Sequence, residues 1–405
     1  MLDMKPLMYA ELLANIRQIS VVVCLETPCG NATNADFSPG RSSIYIRHEK
    51  KTFVLALPGK VAVGATLEKP RIGSKDVSWR LPLAGEPTRQ DSDTVESPWP
   101  AKVLGQDTEM TCRKCDETII GRDSIQTWKD LPSENWAEMM DFWHCHKPLG
   151  DHSHAGHSHT ESDTANKAYG ANSRFTAQRG VGFVDLTTFL FLAEDCPNIK
   201  LKTSPEHTPP TVVCSKCNAY VGHVDEDFQG YRFYKWCLKS KSSQMTSTAC
   251  PPSTSSIITA QMQAQMLAQC CSKLILVPIS YKTTTSPLAS SSSPSTAPKP
   301  PPLTSTSSTP RHFLHFWILN PIIRYTSSIS PSSATTKTAM KVFYKRVATS
   351  TAEELMDSES IEKVFLPQES IDELEEVLVG SKEVLPVAGR KFQDWNVGLL
   401  ERWVG

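Results

Sequence analysis

The sequence has no excess of charge of either sign. Its 42 lysine and arginine residues are balanced by 43 aspartate and glutamate residues, which gives a net charge of −1 at pH 7. A surface that binds nucleic acid or an anionic membrane needs a concentration of positive charge, and this balance does not supply one. We therefore expect no direct nucleic-acid partner and no membrane partner.

Long apolar runs are also missing. The run Ile19–Cys24 is too short for a helix that crosses a bilayer, which needs about 20 apolar residues. The run Phe313–Ile323 is interrupted by His315, Asn320 and Pro321. Because the chain has 12 cysteines and shows no secretory signal, we expect a soluble protein of a reducing compartment, in the cytoplasm and nucleus.

Two short segments that contain cysteine nearly repeat each other. Cys112-Arg-Lys-Cys115 is followed by Asp-Glu-Thr-Ile-Ile-Gly, and Cys214-Ser-Lys-Cys217 is followed by Asn-Ala-Tyr-Val-Gly. A Cys-x-x-Cys turn that leads into a strand is half of a tetrahedral zinc site, and two such halves supply four thiolates. Four thiolates leave no open coordination position. We therefore predict a structural zinc ion bound by Cys112, Cys115, Cys214 and Cys217.

A redox pair and inert buried thiols are the alternatives to this zinc site. A redox Cys-x-x-Cys lies between a strand and a helix, whereas the residues after each pair, Ile119-Ile120 and Tyr220-Val221-Gly222, are typical of strands. The 98 residues between Cys115 and Cys214 are compatible with one shared site, because the entropy cost of loop closure grows slowly with length.

The distribution of residue types predicts a β-rich α+β fold of antiparallel sheets, stapled by the zinc site and interrupted by a disordered insertion. Strands are indicated at Ile19–Cys24, Ser43–Arg47 and Thr52–Leu57, whereas Tyr9–Ile16 has a helical spacing of apolar residues. The predicted parts are an N-terminal β-rich part (1–105), a zinc-knuckle part (106–238), a disordered Ser/Thr/Pro-rich insert (239–310) and a C-terminal α+β part (311–405).

The composition of the insert carries the prediction of disorder. In Thr283–Pro310, 23 of 28 residues are serine, threonine or proline, too polar to bury enough apolar surface to offset the entropy of the chain. Within the insert, Ala260–Cys271 is compatible with a lone helix. In the C-terminal part, Met340–Lys345 is strand-like, and Ser370-Ile-Asp-Glu373 matches a capping box that begins a helix. The expected buried face of that helix is Ile371, Leu374 and Leu378.

The segment Asp141–Pro148 places one thiol, Cys145, between the imidazoles of His144 and His146. Cys145 is a small core residue, a nucleophile with a histidine base, or a ligand that an exposed loop presents to a metal, either in this chain or in a partner. The nearby tract Asp151–His159 is rich in histidine, but its glycine and serine residues are typical of a solvated loop.

Several of these segments also occur, in the same order, in a known family. They are Leu131–Trp136 through Trp143–His146, the second Cys-x-x-Cys with its glycine, Phe316–Pro321, Met340–Lys345 and Leu385–Trp395. In these segments the chain resembles the HECT-like ubiquitin-conjugating-enzyme-binding family, from the N-terminal strands to the C-terminus.

The resemblance implies two roles. One is that of a ubiquitin-protein ligase that binds a ubiquitin-conjugating enzyme and cyclin B and promotes self-ubiquitination. The other is support of mRNA 3′-end formation through binding of the zinc-dependent endonuclease of the cleavage and polyadenylation machinery. In that role a loop resembling the tail of a chaperone of the integrator endonuclease carries a cysteine to the partner's zinc. Cys145 is the matching position, and His144 or His146 would orient the loop or add a ligand.

The cysteine distribution does not fit a HECT ligase with a catalytic cysteine in its C-terminal lobe, because residues 311–405 contain no cysteine. A thioester cysteine would have to come from the middle of the chain, from Cys145, Cys196 or Cys237, and the sequence does not select one. The catalytic residue is therefore unassigned. A non-enzymatic chaperone or inhibitor of the endonuclease is the alternative function.

Overall fold

The computed structural model describes residues 6–85, 95, 97–131, 176–204, 207–242, 251–281, 312–329 and 335–403. The chain forms two compact units, one from residues 1–97 and 252–405 and the other from residues 98–251. The second unit is thus inserted, along the chain, between two stretches of the first.

Strands dominate both units. In chain order the strands are β1 (Leu7–Leu13), β2 (Gln18–Cys24), β3 (Asn34–Phe37), β4 (Ser43–His48), β5 (Lys51–Ala56), β6 (Asp76–Pro82), β7 (Glu109–Cys112), β8 (Thr118–Ile120), β9 (Thr127–Asp130), β10 (Val181–Val184), β11 (Thr188–Phe191), β12 (Ile199–Ser204), β13 (His207–Cys214), β14 (Tyr220–Asp225), β15 (Gly230–Tyr234), β16 (Leu238–Lys241), β17 (Lys273–Pro278), β18 (Phe313–Ser327), β19 (Lys337–Val347), β20 (Glu362–Leu366), β21 (Lys391–Phe392) and β22 (Trp395–Glu401). The α-helices are α1 (Thr254–Gln269), α2 (Thr349–Met356) and α3 (Gln368–Ser381). Single 3₁₀ turns lie at Ala14–Ile16, Ala101–Val103, Ala193–Asp195, Lys235–Cys237 and Val387–Gly389.

The first unit is built on a nine-stranded sheet. Seven strands form an antiparallel path in the order β21-β22-β19-β18-β1-β2-β6. The 15-residue strand β18 pairs on one side with β19 and on the other with β17 and then β1, and β20 joins β17 in parallel. A separate three-stranded sheet, β3-β4-β5, packs its buried Ile44, Ile46 and Leu55 in one core with Val21 and Val23 of β2.

Strand β1 corrects the helical interpretation of Tyr9–Ile16. Leu7–Leu13 is a strand between β2 and β18, and only Ala14–Ile16 makes a helical turn. Residues Met8–Leu12 are all buried, so the strand lacks the apolar-polar alternation that distinguishes a strand from a helix in sequence. Even Glu11 is buried, where its carboxylate lies 2.7 Å from the ammonium of Lys341.

The expected disordered insert, residues 239–310, contains ordered structure at its centre. The helix α1 begins at Thr254, capped by the hydroxyl of Ser253, and strand β17 follows at Lys273–Pro278. The prediction of a lone helix at Ala260–Cys271 was wrong in two respects. The helix α1 begins six residues earlier, at Thr254, and it is not isolated, because it contacts α3, β20 and β22. The Ser/Thr/Pro-rich stretch Thr283–Pro310 lies outside the described residues.

The helix α3 begins two residues before the predicted cap. Gln368 is its first residue, it follows Pro367, and Ser370 is buried within the first turn. Because the ring of Pro367 holds φ at −55°, the chain can turn into the helix without a side-chain cap. Glu373 instead accepts a hydrogen bond of 2.8 Å from the hydroxyl of Thr254. The predicted apolar face is confirmed, since all its members are fully buried: Ile371, Leu374 and Leu378.

The second unit contains two sheets and its own core. Seven strands form a sheet in the order β12-β13-β14-β15-β11-β10-β9, and β16-β7-β8 form a smaller sheet. The core between them combines buried aromatic residues such as Phe189 and Phe233 with Ile120, Cys112 and Cys214. The prediction of a β-rich fold with antiparallel sheets is thus confirmed. Within the described residues, no helix combines the length and apolar character that a membrane crossing requires.

Candidate metal centre

The two Cys-x-x-Cys segments form two turns of the same shape. Cys112 ends strand β7 and Cys214 ends strand β13, and each turn leads into a further strand, β8 or β14. The amide of Asp116 donates to the carbonyl of Cys112 at 2.9 Å, and that of Asn218 donates to the carbonyl of Cys214 at 3.0 Å. Asp116 and Asn218 both have left-handed backbones, with φ of 59° and 54°. Aspartate and asparagine tolerate this conformation better than most residues, which explains why the repeat carries one of them after the second cysteine.

The two turns bring four sulfur atoms together. The Sγ atoms of Cys112 and Cys217 are 3.7 Å apart, and those of Cys115 and Cys214 are 3.6 Å apart. All four sulfur atoms lie within 4.8 Å of one another. In a tetrahedral site with metal–sulfur bonds of about 2.3 Å, neighbouring sulfur atoms are about 3.8 Å apart. The arrangement therefore fits a single tetrahedral metal ion.

The surroundings favour a metal over free thiols. Cys112 and Cys214 are buried, while Cys115 and Cys217 are half-buried. Burial raises the pKa of the Cys112 thiol to about 12, so that a thiolate would form there at neutral pH only with a cation beside it. A divalent metal ion supplies that cation. The strands that follow each turn also argue against the redox alternative, which requires a helix at that place.

Polar side chains hold the two turns against each other. The side-chain amide of Asn198 donates to the main-chain carbonyl of Thr118 at 2.8 Å, and the main-chain carbonyl of Asn198 accepts from the main-chain amide of Ser215 at 3.1 Å. The ammonium of Lys216 lies 3.3 Å from the carboxylate of Glu117. One asparagine and one ion pair thus join the first turn to the second, which keeps the four sulfur atoms in place.

Lysines surround the cluster and oppose its charge. A divalent ion with four thiolates has a net charge of −2. Lys114 and Lys216 occupy equivalent positions in the two turns. The pKa of Lys216 is raised by its bond to Glu117 and further by Cys115 and Cys214, which means that the charged lysine and the thiolates stabilise each other.

A glycine ends both halves of the sequence repeat. In the second half the structure shows why position 222 requires a residue without a Cβ atom. Gly222 lies in β14 opposite Phe233 of β15. A Cβ atom at Gly222 would overlap the carbonyl oxygen of Arg232. A larger residue would therefore push β15 away from β14, the strand that follows the second turn.

A comparison with models of protein families identifies the family of this chain. The model of the HECT-like ubiquitin-conjugating enzyme (E2)-binding family matches residues 11–397. The chain belongs to this family. The match spans both units, so the family domain includes the four-cysteine centre and the nine-stranded sheet.

The relatives of this HECT-like chain are themselves uncharacterised. The protein YJR141W of Saccharomyces cerevisiae is 30% identical over 171 residues, which are 41% of this chain and 44% of the relative. The protein C1734.10c of Schizosaccharomyces pombe is 42% identical over 59 residues, which are 14% of this chain and 17% of the relative. The chain thus spans less than half the length of the curated relatives it matches. No solved structure matches it.

Of the other predicted site residues of this HECT-like domain, the structure describes Cys196 and Cys237. His144, Cys145 and His146 lie outside the described residues, as does the histidine-rich tract Asp151–His159. Cys237 is half-buried at the end of a 3₁₀ turn.

Cys196, the remaining candidate for a thioester cysteine, is poorly suited to that role. Its side chain is 3% exposed. Burial, followed by the neighbouring charges of Asp195 and Glu194, raises the pKa of its thiol. A nucleophilic cysteine instead needs access and a lowered pKa.

Sequence reasoning missed the role of Asn198, which joins the two cysteine turns. One polar residue between strands forms no pattern that would have revealed this role.

Proposed function

We propose that this chain binds a ubiquitin-conjugating enzyme and acts as a ubiquitin ligase or adaptor that promotes ubiquitination, including its own. The observation that carries this proposal is the family match over residues 11–397. Cyclin B is a proposed binding partner, and the cytoplasm and nucleus are the proposed sites of action.

The metal in this proposal is zinc, bound by Cys112, Cys115, Cys214 and Cys217. Zinc accepts four thiolates in a tetrahedron without a redox change, and the sulfur distances of 3.6 and 3.7 Å support that geometry. A centre with four protein ligands has no free position for a substrate. We therefore assign zinc a structural role, in which it fixes β7, β8, β13 and β14 for partner binding.

Transfer without a covalent ubiquitin intermediate agrees best with the cysteine distribution. Residues 311–405 contain no cysteine, and Cys196 is buried with a raised pKa. An adaptor needs no nucleophile, because it only has to hold the charged conjugating enzyme beside a substrate lysine. We therefore expect ubiquitin to pass from the conjugating enzyme directly to the substrate.

The test combines binding and discharge with purified components. The full chain is titrated into a panel of ubiquitin-conjugating enzymes carrying thioester-linked ubiquitin, with and without cyclin B. We expect binding to at least one enzyme, faster ubiquitin discharge, and no ubiquitin adduct on this chain that a reductant removes. Absence of binding across the panel would overturn the proposal. A reducible adduct that disappears in Cys145→Ala or in Cys237→Ala, but persists in Cys196→Ala, would replace the adaptor by a thioester ligase.

The sequence around Cys145 supports a second candidate function. A thiol between His144 and His146, on a segment that resembles the metal-reaching tail of a nuclease chaperone, is suited to bind a metal in a partner. We propose that this segment binds the zinc-dependent endonuclease of mRNA 3′-end processing and blocks its metal centre. The purified endonuclease should bind the wild-type chain and lose binding to Cys145→Ala, while the exposed Cys270→Ala serves as control. Equal binding to both variants would exclude the role of Cys145.

A further inference from the structure

One face of the nine-stranded sheet carries two rows of aromatic and basic residues. In the first row, Lys273 of β17 pairs with Trp317 of β18, which pairs with Phe343 of β19, which pairs with Val397 of β22. Cross-strand partners point to the same face of a sheet. A cation, an indole, a phenyl ring and an aliphatic side chain thus lie side by side.

The second row runs beside the first. Ile275 of β17 pairs with His315 of β18, which pairs with Lys345 of β19. The ring of Trp395 at the start of β22 packs edge-on against that of His315, with ring centres 4.9 Å apart. We call six residues of this face, which lie between its two covered ends, the aromatic strip: Lys273, His315, Trp317, Lys345, Phe392 and Trp395.

Among the residues that the structure describes, only those at the two ends of this face cover it, so the strip between them is open. At one end, Leu355 and Met356 of α2 pack with Phe313 and Val347. The residues that cover the other end pack in a second cluster: Val384 and Leu385, with Ile323, Tyr325, Ala339 and Leu399. Between these ends Trp317 and Trp395 are half-buried, and Phe392, stacked on Phe343 at 5.0 Å, is 45% exposed.

Two lysines already occupy the faces of the indoles. The ammonium of Lys345 lies 4.3 Å from the ring centre of Trp395, and that of Lys273 lies 5.8 Å from the ring centre of Trp317. Lys345 also pairs with Asp394 at 2.9 Å. A cationic ligand would therefore meet rings whose cation-binding faces are taken and two charges that repel it. An anionic ligand would meet the exposed ammonium of Lys273 and the partly exposed ammonium of Lys345, which it would share with Asp394.

His315 is the buried member of the strip, and its hydrogen-bonding capacity is unused. Its side chain is 5% exposed, and neither ring nitrogen has a hydrogen-bond partner among the described residues. A buried polar atom without a partner costs free energy, so a site is favoured in which a partner comes from outside. Burial, followed by the charges of Lys345 and Lys273, lowers the pKa of His315 to about 4. These causes show a positive local field around a neutral imidazole.

We propose that the aromatic strip binds an extended acidic segment of a partner protein. One aromatic or large apolar side chain of the segment packs against Trp317, Trp395 and Phe392. Carboxylates on either side of it pair with Lys273 and Lys345. A nucleic acid is a poorer match, because the strip offers only two lysines and the chain has a net charge of −1. The proposal is independent of the proposed function, since it rests on contacts within the first unit alone.

Three labelled peptides test the chemistry on the full chain. The probe is the heptapeptide Gly-Asp-Asp-Phe-Asp-Asp-Gly, and the controls replace its aspartates by lysines or its phenylalanine by alanine. Binding is measured by fluorescence anisotropy at low and high salt. We expect the acidic aromatic peptide to bind at least tenfold more tightly than either control. Its binding should be weaker at high salt than at low salt. Failure of the probe to bind, or equal binding of the three peptides, would overturn the proposal.

Variants locate the binding to the strip. The double variant Lys273→Glu, Lys345→Glu should weaken binding of the probe at least tenfold, whereas the exposed Lys60→Glu, in the same unit, should leave it unchanged. His315→Phe should raise the melting temperature, because it removes an unsatisfied imidazole. The same variant should bind the probe more weakly than the wild type. Thermal unfolding of each variant separates loss of the site from loss of the fold. Unchanged probe binding in the folded double variant would place the binding elsewhere and overturn the proposal.

Discussion

In the proposed zinc site each cysteine combines two roles, metal ligation and core packing. Cys214 is fully buried among apolar residues of the second unit, and its sulfur lies 3.6 Å from that of Cys115. Serine has nearly the same size but is a poor ligand for a soft metal. We predict that Cys214→Ser loses the proposed zinc and on the order of 4 kcal/mol or more of stability, because loss of a structural metal is among the few changes that cost this much. Metal analysis and urea unfolding measure the two effects.

The exposed Cys270 supplies the matched control for this substitution. It lies at the C-terminal end of α1, outside the cluster. Cys270→Ser should keep one zinc per chain and change stability by less than about 0.5 kcal/mol. If Cys214→Ser retains zinc in the amount found for Cys270→Ser, the four cysteines do not form the site.

Lys235 is a buried lysine that the sequence does not reveal. Its side chain is 1% exposed, and its ammonium donates to the carbonyl of Pro98 at 2.7 Å. Burial lowers its pKa from 10.5 to about 7, although the charges of Asp185 and Asp130 act in the opposite direction. Between these two pH values the unfolded chain binds the proton that the folded chain has released. Stability must therefore rise with pH over that window.

We predict that Lys235→Met flattens the dependence of stability on pH between pH 7 and 10. The variant should gain most relative to the wild type at or below pH 7, where the wild type has to bury a charged lysine. Melting temperatures from pH 6 to pH 10 measure this effect. The exposed Lys129→Met of the same unit should follow the wild-type profile. Parallel profiles for wild type and Lys235→Met would contradict the lowered pKa.

At the scale of elements, the sequence predicts best the structures whose signals are local. The two cysteine turns and the strands that follow them were predicted because each lies within ten residues and carries its own turn chemistry. The start of α1 was missed because its first residues, Thr254, Ser255 and Ser256, are small and polar and read as a linker. They are buried nevertheless, partly because Thr254 bonds to Glu373 of a distant helix. Burial by tertiary contact leaves no local pattern.

The packing of α1 can be tested with two residues of the same helix. Ile258 is fully buried, whereas Leu267 is 40% exposed. We predict that Ile258→Ala costs about 2–5 kcal/mol, because it leaves a cavity beneath the helix. Leu267→Ala should cost much less, and urea unfolding compares the two. Similar losses for both variants would mean that α1 does not pack as the structure shows.

At the scale of the whole molecule, long-range pairing decides the architecture. Strand β1 pairs with β18 through contacts such as Tyr9 with Ser327, and β2 pairs with β6 before the second unit begins. A sequence pattern gives the type of each strand but not a partner some 300 residues away, because pairing depends on shape and burial in the folded sheet. The sequence-based division of the chain therefore treated residues 1–105 and 311–405 as separate parts, whereas strands from both belong to one sheet.

Because each unit has its own core, removal of zinc should act on one unit only. We predict that a chelator speeds hydrogen exchange in β7, β8, β13 and β14, which the four cysteines join. Exchange in β18 and β19, whose ladder belongs to the first unit, should stay slow. Mass spectrometry of peptides measures both regions, and the chelator saturated with zinc is the control. Faster exchange in β18 and β19 as well would show that the metal stabilises the fold of both units. Unchanged exchange in β7, β8, β13 and β14 would show that these cysteines hold their strands without a metal.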